Sequence, residues 1–203
     1  MDDEIQRIFS ISKFEKVFES GFLIYKNFSE KIIIIQTGIG KSNAAAAAQM
    51  ALQSFEAKEY INTGLVGAFN KSLSLSEVLV IKKCRFFDVD VTAFGYQPGQ
   101  LPKCDFVDYP LHLNKKNLKA KSAFLVSGDT FLNDPEKRKT IVQSFKPDVV
   151  DMELTSIAHI FSLHKKLDKL QSIKAVSDYA DSQSDQDFYD LMNKACLNLK
   201  EFL

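Results

Sequence analysis

Hydrophobic positions along the chain switch repeatedly between two periods. Ile5, Ile8, Phe9 and Ile11 recur at helical spacing behind an acidic first turn, which predicts a helix over about residues 1–14. Gly21 separates it from the strand-like Phe22-Leu23-Ile24-Tyr25. Ile32-Ile33-Ile34-Ile35 is a β-branched run, expected to be a strand buried on both faces. It leads through Thr37-Gly38-Ile39-Gly40-Lys41 into an alanine-rich helix to about Phe55, with Ser42 or Asn43 as its cap. Strands follow at 60–64 and 77–83, then an irregular, aromatic and Asp/Gly-rich stretch at 86–102. Residues 122–126 read as a strand, and 135–145 as a helix with Asp134 as cap and Pro135 in its first position. Val149-Val150 opens another strand, followed by a helix to about Leu167, a strand at 172–177 and an amphipathic helix over 185–203. Strands alternating with helices, with no linker and no repeat, predict one layered α/β domain over residues 1–203.

Composition narrows the function. The 26 basic and 26 acidic residues balance, so nothing favours nucleic acid or an anionic membrane. No apolar run approaches the ~20 residues of a membrane span. The acidic start Met1-Asp2-Asp3-Glu4 argues against a leader peptide. Cys84, Cys104 and Cys196 have no paired spacing and read as reduced thiols of a cytoplasmic protein. His159 and His164, five apart, are poorly spaced to share a metal on a helix.

The chemistry concentrates at element ends. Val149-Val150-Asp151-Met152-Glu153-Leu154-Thr155-Ser156 changes from strand to helix with two acids at the change, where an open α/β sheet holds ligands. Alternation sends Asp151 and Glu153 one way and Met152 the other unless a bulge intervenes. The acids also suit the start of a helix. The Thr37–Lys41 glycines lack the spacing of a phosphate or dinucleotide loop, but their N–H groups could face a ligand at the helix start. Asp178 follows a strand, as a turn residue or as an acid in the crevice. Glu4, Glu153 and Asp178 together suggest acid–base work on a small polar substrate.

Six segments in order make the pattern specific. They are 37–41 with its alanines, Ile61-Asn62-Thr63-Gly64, the stretch 88–96, Ser127-Gly128-Asp129-Thr130-Phe131, Val150-Asp151-Met152-Glu153 and 175–181. As a set they resemble the 5′-methylthioadenosine/S-adenosylhomocysteine nucleosidases of the purine nucleoside phosphorylase-like superfamily. The resemblance implies a three-layer α/β/α fold around a mixed, partly closed sheet. It implies hydrolysis of the N-glycosidic bond in a nucleoside, as in methionine salvage, with no metal or organic cofactor. Asp178 would protonate adenine N7 and Ser177 would orient it. Glu153 would grip the ribose hydroxyls, Met152 would pack on the sugar, Phe131 would stack on adenine and Leu132 would read its edge. Glu4 matches the acid that activates water; Ile39, Lys174 and Phe188 match further substrate contacts. Phe94, Tyr96 and Pro102 match residues lent by a neighbouring subunit, which implies a homodimer. The related alternatives are a phosphorylase and a non-catalytic nucleoside-binding protein. Phosphorolysis needs several cationic donors for phosphate, yet Arg7, Arg85 and Arg138 all lie off the pocket segments, and Glu4 would repel the anion.

The chain also departs from the family. It lacks the family's first apolar strand, and a start-site error or truncation is the expected reason. Lys174 stands in place of an arginine, keeping the charge without the bidentate fork. Leu65 and Val66 replace smaller residues and are expected to narrow the pocket. Residues 111–121 have room for about one turn of helix where the family has a long one.

Overall fold

The computed structural model describes residues 2–112, 120–182 and 184–203, with the backbone alone for residues 2, 3 and 184–190. The chain runs through α1 (Asp2–Ile8), β1 (Glu15–Glu19), β2 (Phe22–Asn27), β3 (Ile32–Ile35) and α2 (Lys41–Ser54). It continues through β4 (Tyr60–Ala68), β5 (Val78–Phe86), β6 (Tyr109–Pro110), β7 (Lys121–Ser127) and α3 (Pro135–Phe145). It ends with β8 (Val149–Asp151), α4 (Leu154–Leu163), β9 (Leu170–Asp178) and α5 (Ser184–Phe202). The expectation for 111–121 falls largely on residues 113–119, outside the described residues.

Five strands close into a ring. β5, β7 and β8 run parallel, β8 meets β4 antiparallel, β4 lies parallel to β9, and β9 returns antiparallel to β5. Alternation along each strand sends side chains to two different clusters. Val66, Leu79, Leu125, Val149 and Val176 share one with α2 and α4, where Ala44, Ala48 and Ala158 let the backbones approach. Leu65, Ile173 and Ala175 face α1 and α5 through Ile8, Ala195 and Leu199. Val126 and Val150 pack under α3 against Ile141. This closed mixed sheet with helices around it is the α/β class that the alternating periods predict. Leu65 and Val66 are spent in two of these clusters.

The isoleucine run is a correction. Among the described residues β3 pairs only with β2, in a separate sheet of order β1-β2-β3, and Ile32 and Ile33 are each 42% exposed. A β-branched run marks a strand but does not report how many of its faces are covered. The first helix also stops at Ile8, and β1 follows where no strand was expected; its exposed Glu15-Lys16-Val17-Phe18-Glu19 has too little apolar pattern to announce itself. α2 is capped by Gly40, not by Ser42 or Asn43, because the helix begins earlier, at Lys41. α4 ends at Leu163, short of Leu167. At α3 the expectation holds: the Asp134 carboxylate accepts the Glu136 N–H at 2.9 Å, and Pro135 opens the helix. Among the described residues, no helix is long and apolar enough to cross a membrane.

Candidate active site

β8 pairs with β4 only at Gly67 and Ala68 before the chain turns into α4. Ionisable groups from several elements gather where the two strands part, and two glycines of β4 make the room. Gly64, at φ 150°, has a backbone conformation that side chains rarely adopt; a methyl there would lie 3.5 Å from Glu4 Oε1 and 3.7 Å from Lys174 Nζ. At Gly67 a methyl would lie 2.9 Å from Asp178 Oδ1 and 3.2 Å from Val150 Cγ1. Glu4 of α1, Lys174 of β9 and Asp178 at the end of β9 therefore all approach one short stretch of β4.

Lys174 is buried and pairs with buried Asp151, Nζ to Oδ2 at 3.0 Å. Asp151 also accepts the Ser127 hydroxyl at 2.7 Å and the N–H groups of Glu153 and Leu154 at 3.2 Å, so it holds the start of α4. A bend then separates it from Glu153, which accepts the Gly40 N–H at 2.9 Å and the Met152 N–H at 3.3 Å. Burial first, and then the charge of Asp151, push Glu153 up to about 7; Lys174 and the two N–H donors oppose them. Glu153 thus holds its proton more readily than a free carboxyl. The glycine turn before α2 does not offer all its donors to a ligand, because Gly40 serves Glu153 and Lys41 N–H goes to Asp129 Oδ1 at 2.7 Å.

Asp178 owes its direction to a β-bulge. The β4–β9 register runs Val66 to Val176 and then Gly67 to Asp178, leaving Ser177 as the extra residue. The Ser177 hydroxyl lies 3.2 Å from the Val66 carbonyl and 2.7 Å from Asp178 Oδ2. Asp178 Oδ1 accepts the Ala180 N–H at 2.8 Å. In the row Asp178–Gly67–Val150, Asp178 stands two strand spacings, about 10 Å, from the strand that delivers Glu153. Two carboxyls held on either side of a gap can exchange a proton with one part of a small substrate and accept hydrogen bonds from another.

The remaining expected residues divide. Ser177, Met152 and Lys174 belong to the segments that gather here. Leu132 is buried under α3, whereas Phe131 and Ile39 are 43% and 54% exposed. Phe94, Tyr96 and Pro102 stay outside this cluster: Phe94 is 81% exposed, Pro102 is exposed, and the Tyr96 hydroxyl accepts the Lys103 N–H at 3.3 Å. The side chain of Phe188 lies outside the described residues. A hollow of about 240 Å³ opens beside the site between α2, α4 and the start of the aromatic loop, lined by Lys41, Phe86, Val89, Leu101 and His159 among others. None of the expected site residues lines it, and the carboxyls gather elsewhere. His159 meets the Tyr109 hydroxyl at 3.1 Å and His164 meets Gln49 at 2.8 Å. Among the described residues, no group of three His, Cys, Asp or Glu side chains is placed to hold a metal ion.

Three features of the site escape the sequence pattern. The Gly64 and Gly67 approaches, the Lys174–Asp151 pair and the Lys41–Asp88–Asp129 knot all join residues far apart in the chain. In the knot, Lys41 Nζ lies 2.7 Å from Asp88 Oδ2, which also accepts the Asp129 N–H at 2.9 Å. The one available hint was that Asp88, Asp129 and Asp151 sit at or just past strand ends.

The model of the phosphorylase superfamily matches residues 2–203. A 5′-methylthioadenosine/S-adenosylhomocysteine nucleosidase of Staphylococcus haemolyticus is 36% identical over 177 residues, covering 82% of this chain and 77% of that protein. Its namesake from Staphylococcus epidermidis is 32% identical over 190 residues, covering 89% and 82%. The crystal structure of the nucleosidase of that name from Neisseria meningitidis, in complex with methylthio-immucillin-A, superposes with a TM-score of 0.89 at 28% identity, covering 100% of this chain and 93% of that one. Futalosine hydrolase of Helicobacter pylori shares the fold, with a TM-score of 0.89 at 22% identity.

Proposed function

The chain belongs to the phosphorylase superfamily, and on that footing we propose that it is a nucleosidase hydrolysing the N-glycosidic bond of 5′-methylthioadenosine, S-adenosylhomocysteine or both. One observation carries this reading: Glu4, Lys174 and Asp178 close on two glycines of a single strand, with Glu153 joined to them through Asp151. Asp178 gives its proton to adenine N7. The electron pair of the C1′–N9 bond stays with the base, which leaves neutral while the ribosyl group becomes cationic. Ionised Glu153 accepts hydrogen bonds from the ribose hydroxyls, and these strengthen as that charge grows. Water adds to C1′ and Glu4 takes its proton. Met152 packs on the sugar, Phe131 covers the base, and Leu132 offers its backbone. General acid catalysis of this kind contributes about 10²–10⁴-fold.

Water, not phosphate, is the acceptor in this reading. Arg85 is paired with Asp108, and Arg138 donates to the carbonyls of Phe69 and Tyr179. Neither guanidinium is in position to clamp a phosphate at C1′. Two copies complete the pocket through the loop of Phe94, Tyr96 and Pro102, and the three free cysteines suit a reducing cytoplasm, where the reaction would serve methionine salvage. The test is adenine release from methylthioadenosine by wild type and Asp178→Asn, with and without phosphate. Phosphate-independent release yielding free methylthioribose, lost in Asp178→Asn, is expected. Release that requires phosphate and yields the 1-phosphate would make the protein a phosphorylase; binding without release would make it a nucleoside-binding protein.

A further inference from the structure

We propose that Arg138 is a positioning residue for the proton donor, holding the turn that aims Asp178 through main-chain carbonyls alone. The inference rests on the reading of Asp178 as general acid. Asp178 ends β9, and the next residues turn sharply: Ala180 sits at φ 50°, a left-handed conformation unfavourable for alanine. Such a conformation persists only where the surroundings over-determine it. One determinant is the Asp178 carboxylate itself, which accepts the Ala180 N–H at 2.8 Å. The carboxylate and the turn therefore hold each other, and whatever moves the turn re-aims the acid.

Arg138 fixes the turn from outside. From α3 it donates Nη2–H to the Phe69 carbonyl at 2.7 Å and Nε–H to the Tyr179 carbonyl at 3.3 Å. Phe69 directly follows β4, and Tyr179 directly follows β9. One planar guanidinium thus ties the two strand ends just past the bulge, with Gly67 under the Asp178 carboxylate between them. The Phe69 ring, 5.5 Å from the guanidinium, steadies the fork. The Tyr179 hydroxyl, bonded to the Leu73 carbonyl at 3.2 Å, holds the turn from the other side. A lysine carries the same charge without the fork and cannot span both carbonyls.

A leaving group that needs no proton separates this role from a general loss of structure. In the p-nitrophenyl 5-methylthioriboside the C1′–O bond breaks and its electron pair leaves with p-nitrophenolate, a stable anion, so its cleavage uses the sugar site and the water but not Asp178. Arg138→Met is expected to lower kcat for methylthioadenosine by about 10²-fold, the scale of a 1 Å misplacement, with KM nearly unchanged. The same variant should cleave the nitrophenyl substrate at close to the wild-type rate, and Arg138→Lys should not restore the purine reaction. Arg138→Gln, which can reach one carbonyl, carries the same readout if the Met variant does not fold. Equal losses on both substrates, or no loss on methylthioadenosine, would overturn the proposal. Asp178→Asn in parallel locates a failure: if it is inactive on methylthioadenosine while Arg138→Met is unimpaired, the clamp fails alone. If Asp178→Asn stays active, the acid and its clamp fall together.

Discussion

Lys174 has two effects that can be measured apart. Its ammonium and the Asp151 carboxylate are 3% and 1% exposed in their side chains and lie 3.0 Å apart. Removing one partner of such a pair leaves the other charge buried and uncompensated, at a cost of about 3–5 kcal/mol. Lys174→Met should therefore lose that much stability in denaturant melts, while Lys174→Arg should retain most of it. Lys174 also draws Glu153 downward against burial and Asp151, so the Met variant should move the acid limb of kcat/KM to higher pH. A limb that stays in place would show that Lys174 does not act on Glu153. The sign for Glu153 follows from its rise from 4.5 to about 7. The folded protein keeps a proton that the unfolded chain releases, so this contribution to stability is complete below 4.5 and is lost as pH rises through about 7. Its size is on the order of 3 kcal/mol. In the proposed mechanism activity runs the other way, because there only an ionised Glu153 accepts from both ribose hydroxyls. Glu153→Gln should flatten that limb of both profiles and lower kcat about 10²–10³-fold, the range for losing a group that stabilises developing charge. Melts and kcat/KM across pH 5–9 with both variants check this.

At the scale of elements, the bulge in β9 decides where Asp178, the proposed proton donor, points. An even strand would alternate through Ser177, whereas the inserted residue turns Asp178 over Gly67. Gly67→Ala should therefore act on the acid more than on the fold, since its methyl would stand 2.9 Å from Asp178 Oδ1. The expected outcome is a fall in kcat of at least 10-fold at little change in KM, consistent with a displaced catalytic group. Unchanged kcat in a well-folded variant would show that the carboxylate can move aside without loss. β5, β7, β8 and β9 were legible because a buried strand must be apolar, and α3 was legible because Asp134 and Pro135 have local reasons to stand where they do; β4 was read only as far as Gly64, although it runs on to Ala68, because a glycine inside a strand reads as its end. β1 was not, because an exposed strand needs no apolar pattern, and β3 showed its conformation but not its exposure. In the site, Glu4, Glu153 and Asp178 were visible as acids at element ends. Their convergence was not, because it depends on absent side chains at Gly64 and Gly67 and on contacts such as Lys41 N–H to Asp129, 88 residues apart. Alternation predicts faces; it does not predict which faces meet.

At the scale of the whole molecule, the aromatic loop is anchored at both ends and bare at its tip: the Gly99 N–H donates to the Val89 carbonyl at 2.9 Å and Leu101 packs against the core. Asp88 is held by Lys41 and by the Asp129 N–H, so the start of the loop is fixed to α2 and to the turn after β7. Six residues further on, Phe94 is 81% exposed, and the loop's Tyr96 and Pro102 stand apart from the carboxyls of their own chain. A single exposed phenylalanine is ordinary on a protein surface. A fixed loop that presents one is better suited to insert into a second copy than a mobile loop would be, because less freedom is lost on association. If a partner's loop closes the thioalkyl end of the pocket, activity and association are one equilibrium. The specific activity of wild type should then fall on dilution in step with the dimer fraction measured by sedimentation. Phe94→Ser should shift both curves to higher protein concentration and raise KM for methylthioadenosine, since the lost contact lies on the substrate's thioalkyl side. In this reading the thermal stability of the monomer should change little, because the side chain packs against almost nothing within its own chain. A fully active wild-type monomer at the lowest measurable concentration would remove the loop from the site and leave Phe94 an ordinary surface residue.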